Sequence, residues 1–425
     1  MKARTNGTKR IVLAYSGGLD TSVAIRWLQE TKGYEVVTLT IDLGQPLDGL
    51  QDALTRAQAI GAVKTEVVDA KAEFANDYLA PALKANLLYQ GVYPLATALG
   101  RPLIAKHLVQ VANAVGAEAI AHGCTAKGND QVRFDVATKT LDPTLEVVAP
   151  MREWLYTREE AVAWARERNV PLPDISRKKT YSTDENLWGR SVESGDIEDI
   201  SLPANEAAFL WTADPRTAPN EPERVTIGFE KGLPVSLNGA KLPFVEIIQK
   251  LHALAGRHGV GRIDHVEDRL VGIKSHEIYE APAAAVLLKA HRDLEAVTLT
   301  KDVLLFKPQL EQKLAELTYN GHWFSPLADA LRAFVDATQE TVTGEVTLSL
   351  YKGNVTSAGR ASPYSLYKTD LATYGRGDAF NHAAATGFIE LWGLPLQVAA
   401  AVKQKAAKTL PESAHEEGLV RKVRR

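Results

Sequence analysis

From Arg10 to about Asn169, short apolar runs alternate with amphipathic stretches. IVLAY (11–15), EVVTLTIDLG (35–44), KTEVVDA (64–70) and EAIAHG (118–123) are compact aliphatic runs of the kind that form strands buried on both faces. Between the first two, residues 20–32 put Val23, Ala24, Trp27 and Leu28 on one helical face, with Thr21 or Ser22 suited to cap its start and Gly33 its end. Residues 49–60 repeat the pattern with Leu50, Ala53, Leu54, Ala57 and Ile60 before Gly61. Repeated strand and helix units predict an α/β fold built on a doubly wound parallel sheet, whose ligands sit at the carboxyl ends of the strands.

The texture changes near Val170. PLPDISRKKTYSTDENLWGR (171–190) is proline-rich and polar and reads as a loop or interdomain link. Beyond it, RVTIGF and LPVSLNG flank the turn EKG, and GEVTLSLYKGNVTSAGR carries a second glycine-containing turn, so hairpins replace crossovers. Helices are expected near 242–257, 281–296 and 301–319, making a second, α+β domain, and an Ala-rich apolar helix near 384–408 precedes a polar tail. The expected organisation is a disordered extension at 1–9, a nucleotide-binding domain at 10–170, the α+β domain at 171–383, and a C-terminal helix and tail at 384–425.

Composition narrows the class. At 45% hydrophobic and 24% charged, the 425-residue chain is that of an ordinary globular protein rather than a disordered one. A net charge of −3, with the only basic cluster in the tail Arg421 to Arg425, argues against nucleic acid as a partner. The single cysteine, Cys124, excludes an internal disulfide framework and a multi-cysteine metal site. The polar N-terminus lacks a signal-peptide core and no eighteen apolar residues run together, so the expectation is a cytoplasmic protein without a membrane segment.

The chemistry concentrates first in SGGLDTS, Ser16 to Ser22, between an apolar strand and a helix. Such a turn aims unpaired backbone N–H groups and the positive end of a helix dipole at one point, a natural phosphate site. Gly17 and Gly18 allow close backbone approach, and Ser16, Thr21 and Ser22 add hydroxyls. Asp20 fits either as a helix cap or as an oxygen ligand for Mg²⁺ accompanying the phosphates. The string is neither a Walker A sequence nor a GxGxxG fingerprint. It resembles the loop of the PP-loop ATP pyrophosphatases, which cleave ATP between the α- and β-phosphates and adenylate a carbonyl-type oxygen.

Within that class, five strings in order resemble the argininosuccinate synthetase family: AYSGGLDTS (14–22), HGCTAKGNDQVRF (122–134), STDENL (182–187), GVGRIDHVEDR (259–269) and GRASPYSLY (359–367). The resemblance implies ATP-dependent ligation of L-citrulline and L-aspartate to argininosuccinate through a citrullyl-adenylate, with release of AMP and pyrophosphate, in arginine biosynthesis. It implies ATP and Mg²⁺ as co-reactants and a homotetramer whose C-terminal helix reaches neighbouring subunits. By the same resemblance, Ala14, Tyr15, Ser16, Gly17, Gly18, Leu19, Asp20, Thr21, Ser22, Ile41 and Gly123 face ATP. Thr125, Asn129 and Asp130 match aspartate positions. Tyr93, Asn129, Arg133, Ser182, Ser191, Glu267 and Tyr279 match citrulline positions, Asn129 being shared. No metal site made by protein side chains is expected.

Taken without the family, these residues have plainer readings. Tyr93 and Tyr279 would be packing residues, Ser182 a cap for TDENL with Glu185 completing a capping box, Asn129-Asp130 a turn after Gly128, and Arg133 and Glu267 surface charges. His122 and Lys127 would be a structural histidine and a solvated lysine. The chain also departs from the family pattern. Ala98 stands for a serine that contacts citrulline, Ala126 for a glycine, Ile41 for an alanine near the adenine, Asp268 for an asparagine, and His276-Glu277 for Arg-Gly. A lost hydroxyl contact would cost about 1 kcal/mol, with Thr97 available to compensate, and Ala126 would be strained if its φ were positive. Ala98 and Ile41 motivate the competing reading, a ligase of the same class with a changed ureido or amide substrate.

Overall fold

Ile11, Val12 and Leu13 are wholly buried in succession because strand β1 (Arg10–Ala14) is covered on both faces. It pairs in parallel with β2 (Glu35–Asp42) and β4 (Ala119–Ala121), flanked by β3 (Lys64–Asp69) and β5 (Glu146–Val148) in the order β3-β2-β1-β4-β5. Alternation decides which core each residue joins. Val12, Val37 and Leu39 pack toward the helix Ala96–Val115, while Ile11, Leu13 and Val36 pack on the other side with Val23, Ala24 and Trp27 of the helix Leu19–Lys32. Strand order reverses between β1 and β4, so the turns that follow these two strands lie side by side at the switch point.

The structure, a computed structural model, describes residues 9–154, 157–173, 181–375 and 377–409. The expected extension at 1–9 and the tail beyond 409 lie almost wholly outside them. Two compact units divide after Leu366.

The predicted polar link at 171–190 is in its described C-terminal part a hairpin: β6 (Ser182–Asn186) and β7 (Gly189–Glu193) pair antiparallel. Ser182 therefore opens a strand, and the capping-box reading of STDENL fails. Two further sheets complete the first unit. One is β11-β12-β7-β6, with β11 (Arg262–Asp268) and β12 (Lys274–Glu280); the other is β10-β9-β8-β13-β14, from β8 (Glu223–Glu230), β9 (Leu233–Leu237) and the short β10 (Ala240–Lys241) to β13 (Gly344–Tyr351) and β14 (Asn354–Ala361). The helices Phe244–Arg257, Pro282–Thr298 and Lys301–Tyr319 fall close to the predicted spans. One core cluster joins Val12, Leu39 and Leu99 to Trp188, Val225 and Leu287, so the parallel sheet and the later sheets share an interior.

In the second unit the helix His382–Thr409 carries exposed Phe388, Ile389, Leu391, Trp392 and Leu396. By length and composition its His382–Lys408 span is apolar enough to cross a membrane, at a mean hydropathy of 1.3, although Glu390 and Lys403 interrupt any uniform apolar run.

Candidate active site

The loop after β1 has the geometry of an anion cradle. Gly17 has φ +76°, and a Cβ there would lie 2.7 Å from the Ala53 Cβ, so only glycine lets the turn pass beneath the next helix. The helix begins at Leu19 with Gly18 at its N-cap and no side-chain cap. This corrects the expected capping by Thr21 or Ser22: both lie one turn inside, buried, where they brace the loop. Thr21 Oγ1 donates to the Gly18 carbonyl at 3.4 Å and shares a hydrogen bond with Ser16 Oγ at 3.2 Å; Ser22 Oγ meets the Tyr15 hydroxyl at 3.2 Å. From outside, Arg56 Nη2 donates to the Gly17 carbonyl at 2.9 Å. The N–H groups of the first turn thus have no side-chain cap, the arrangement that suits an anion.

Gly123, after β4, closes on the same helix end: a Cβ at that position would stand 2.9 Å from Thr21 Cγ2. His122, fully buried, accepts at Nδ1 from the Cys124 N–H at 3.2 Å and meets Asp135 through Nε2 at 2.8 Å, an orientation that fixes the turn rather than presenting the imidazole to a ligand. Ala126 does not have a positive φ, so the alanine carries no strain. Asn129 is the N-cap of the helix Asp130–Leu141, in place of the isolated turn expected there.

Beyond Ser16 and Gly123 opens a cavity of about 420 Å³ that takes in Tyr93, Thr125, Asn129, Asp130, Arg133, Ser182, Ser191, Glu267 and Tyr279. Thus the sequence-predicted citrulline and aspartate residues, spread from 93 to 279, share one cavity; of the loop and adenine positions, only Ser16 and Gly123 line it. Asp20 is exposed in the first turn, and Ile41 is buried in β2. Ala98 is buried in the helix Ala96–Val115 and does not line the cavity, whereas Thr97 does.

One wall is the sheet β11-β12-β7-β6. Its register sets Tyr279 opposite Ser191, Ser191 opposite Asp184 and Ser182 opposite Glu193, and the period-two alternation adds Glu277 two residues before Tyr279. Facing it, Arg133 donates from Nη1 to Asp130 at 2.8 Å and from Nε to the Tyr319 carbonyl at 2.9 Å, and its guanidinium lies 4.8 Å over the Tyr319 ring. Its Nη2 is buried with no hydrogen-bond partner among the described residues. Arg101 holds the other Asp130 oxygen at 2.9 Å and also pairs with Asp184. Burial alone would raise the Asp130 pKa, but the Arg101 and Arg133 charges outweigh it and hold the carboxyl below its ordinary range.

Glu267 accepts phenolic O–H groups from Tyr279 and Tyr319, each at 2.5 Å, and Asn129 ties in by donating to the Tyr319 hydroxyl at 2.8 Å. Tyr279 stacks on Tyr93 at 4.0 Å, and burial pushes the pKa of both phenols up. Arg269 Nη2 donates to Glu193 and Glu277, each at 2.7 Å; burial lifts the Glu277 carboxyl to about 7 against the pull of that guanidinium.

Arg101, Asp184, Glu193, Arg269 and Glu277 were absent from the sequence-predicted set. Stepping by two from Ser182, Ser191 or Tyr279 reaches three of them once these segments are known to be strands. Arg101 had no such signal, because Gly100 and Pro102 interrupt the helical pattern around it.

A parallel sheet with a glycine-rich anion loop at its switch point, opening into a cleft of fixed charges and amides, defines an α/β nucleotide-using enzyme of small polar substrates. Residues 10–171 match the family model described as the arginosuccinate synthase N-terminal HUP domain, and residues 181–399 the arginosuccinate synthase C-terminal domain. The argininosuccinate synthase of Rubrobacter xylanophilus is 59% identical over 92% of this chain and 94% of its own, and that of Symbiobacterium thermophilum 55% identical over 94% and 99%. The U34-tRNA thiolase NcsA from Methanococcus maripaludis, a solved structure with its [4Fe-4S] cluster, covers 40% of this chain and 60% of its own at 12% identity and a TM-score of 0.28, a level that carries no argument. The chain belongs to the argininosuccinate synthase family.

Proposed function

We propose that the cleft holds L-citrulline and L-aspartate side by side, with ATP laid from the Ser16–Ser22 loop so that its α-phosphate meets the citrulline ureido oxygen. The chain is an ATP-dependent carbon–nitrogen ligase of arginine biosynthesis that forms argininosuccinate, AMP and pyrophosphate; at this level of family identity the changed-substrate reading is not favoured. What carries the residue-level reading is the convergence on one cavity, beginning at Ser16, of side chains from 93 to 279 whose chemistry suits two amino acids.

The ureido oxygen is a poor leaving group, and adenylation makes it a good one. Backbone N–H groups at the head of the helix Leu19–Lys32 meet the charge building on the leaving pyrophosphate. Arg133, with Nη2 uncommitted, takes the citrulline carboxylate; Glu267, flanked by Tyr279 and Ser191, takes its ammonium. Thr125, Asn129 and Asp130 hold aspartate, whose amine then displaces AMP. Asn129 donates to Tyr319 and accepts at Oδ1 from the Leu270 N–H at 2.9 Å, a fixed post between the two substrates. Mg²⁺ would arrive with the phosphates, with Asp20 the acidic side chain of the first turn.

The same reading makes the enzyme a cytoplasmic homotetramer, its exposed apolar helix His382–Thr409 covered by neighbouring subunits. Citrulline labelled with oxygen-18 on the ureido group tests the chemistry: the label is expected in AMP, and unlabelled AMP with labelled pyrophosphate or water would refute adenylation at that oxygen.

A further inference from the structure

Glu277 is 5% exposed and lines the cavity on the Tyr279 face of β12, yet nothing in the scheme above uses it. Charged groups reach it from two sides: Glu193 from β7, and Arg269 and Glu267 from β11 and the turn that follows it. The single Nη2 of Arg269 serves Glu193 and Glu277 Oε1 together, leaving Glu277 Oε2 with no hydrogen bond among the described residues. Glu267, by contrast, already receives a phenolic proton on each oxygen. An ammonium group brings three donors and needs three acceptors. Glu267 and the Ser191 hydroxyl lie on this wall, and a further acceptor with a spare oxygen stands two positions from Tyr279.

We propose that Glu277 is a substrate-contacting carboxylate that sets affinity for the α-ammonium of citrulline, acting beside Glu267. The inference rests on the assignment of this end of the cleft to citrulline. It gives the buried carboxylate an occupant: without a ligand, Arg269 alone compensates two acids, and the arriving ammonium supplies the missing positive charge. It also predicts selectivity, because an analogue lacking the α-amino group would leave Glu277 and Glu267 facing each other with nothing between them.

The test is steady-state kinetics on the full-length chain with E277Q, E277D and E267Q, varying each substrate in turn. E277Q is expected to raise the KM for citrulline about tenfold, the loss of one hydrogen bond to a charged group, while leaving the KM for ATP within about twofold. E277D is expected to recover part of the loss. The citrulline kcat/KM of the wild type is expected to rise through about pH 7 as the carboxylate ionises, and that rise is expected to vanish in E277Q. If E267Q raises the citrulline KM and E277Q does not, Glu277 has no contact and the inference fails alone. If E277Q raises all KM values equally, its role is structural and the inference also fails. If neither variant alters citrulline dependence, the assignment of the cleft itself is wrong.

Discussion

Gly123→Ala tests how tightly the two switch-point turns are fitted. The added methyl would sit 2.9 Å from Thr21 Cγ2 and 4.0 Å from Asp20 Cβ, where an ordinary carbon contact is about 3.5–4.0 Å. Thr21 is buried, and its hydroxyl is held by the Gly18 carbonyl at 3.4 Å and Ser16 Oγ at 3.2 Å. The methyl can leave only by a turn of the Thr21 side chain, which breaks those contacts, or by a shift of the loop. Overpacking of this kind costs about 1–3 kcal/mol, and a displacement of about 1 Å at a reacting group can cost about a hundredfold in rate. The expected result, read by pyrophosphate release at varied ATP, is a KM for ATP raised about ten- to a hundredfold, with a melting temperature lowered by a few degrees. Thr21→Ser removes the offending methyl and keeps the hydroxyl, so G123A/T21S should recover most of the ATP affinity. A G123A enzyme with unchanged KM for ATP, or a double variant no better than the single one, would refute the steric argument.

Other substitutions probe the cleft and the second unit. R133K should raise the citrulline KM at least about tenfold, because lysine cannot keep the Tyr319 carbonyl and still offer a fork to a carboxylate; an unchanged value removes Arg133 from the citrulline site. D130N leaves Arg101 and Arg133 without the carboxylate between them, and is expected to lower the melting temperature and raise the aspartate KM about tenfold, a split read by varying each amino acid separately. The folded-state pKa of Glu277, about 7, stands above its ordinary value of 4.5. Between those values the folded chain keeps a proton the unfolded chain has released, so stability should fall as pH rises through that window and level off above it. Thermal melts of wild type and E277Q across the window check this, and equal slopes would contradict it. A chain ending before His382 should sediment as a smaller species than the full chain; an unchanged oligomer would remove the helix from the assembly.

The strand, glycine turn and helix proposed to hold phosphate were legible because their pattern is local, lying within Arg10–Lys32. The parallel sheet followed from period and spacing for the same reason. The acidic wall was not legible, since Asp184, Glu193 and Glu277 face the cavity only once β6, β7 and β12 are paired, and pairing at a separation of 90 residues between Arg190 and Glu280 leaves no mark in either segment alone. The STDENL segment misled because Ser followed three residues later by Glu is also a helix-start pattern, and sheet pairing overrode it. The helix Ala96–Val115 was not legible because Gly100 and Pro102 weigh against helix locally, while burial of Leu99, Leu103 and Leu108 in the shared core outweighs them.

The central claim, that one cleft couples ATP cleavage to the joining of two amino acids, is tested most directly by pyrophosphate release from the purified chain with ATP and Mg²⁺, adding citrulline alone, aspartate alone, and both, with products identified by mass. Sustained turnover only with both amino acids, giving argininosuccinate and AMP, is the predicted result. Pyrophosphate release driven by some other acceptor, with citrulline and aspartate inert in every combination, would contradict it.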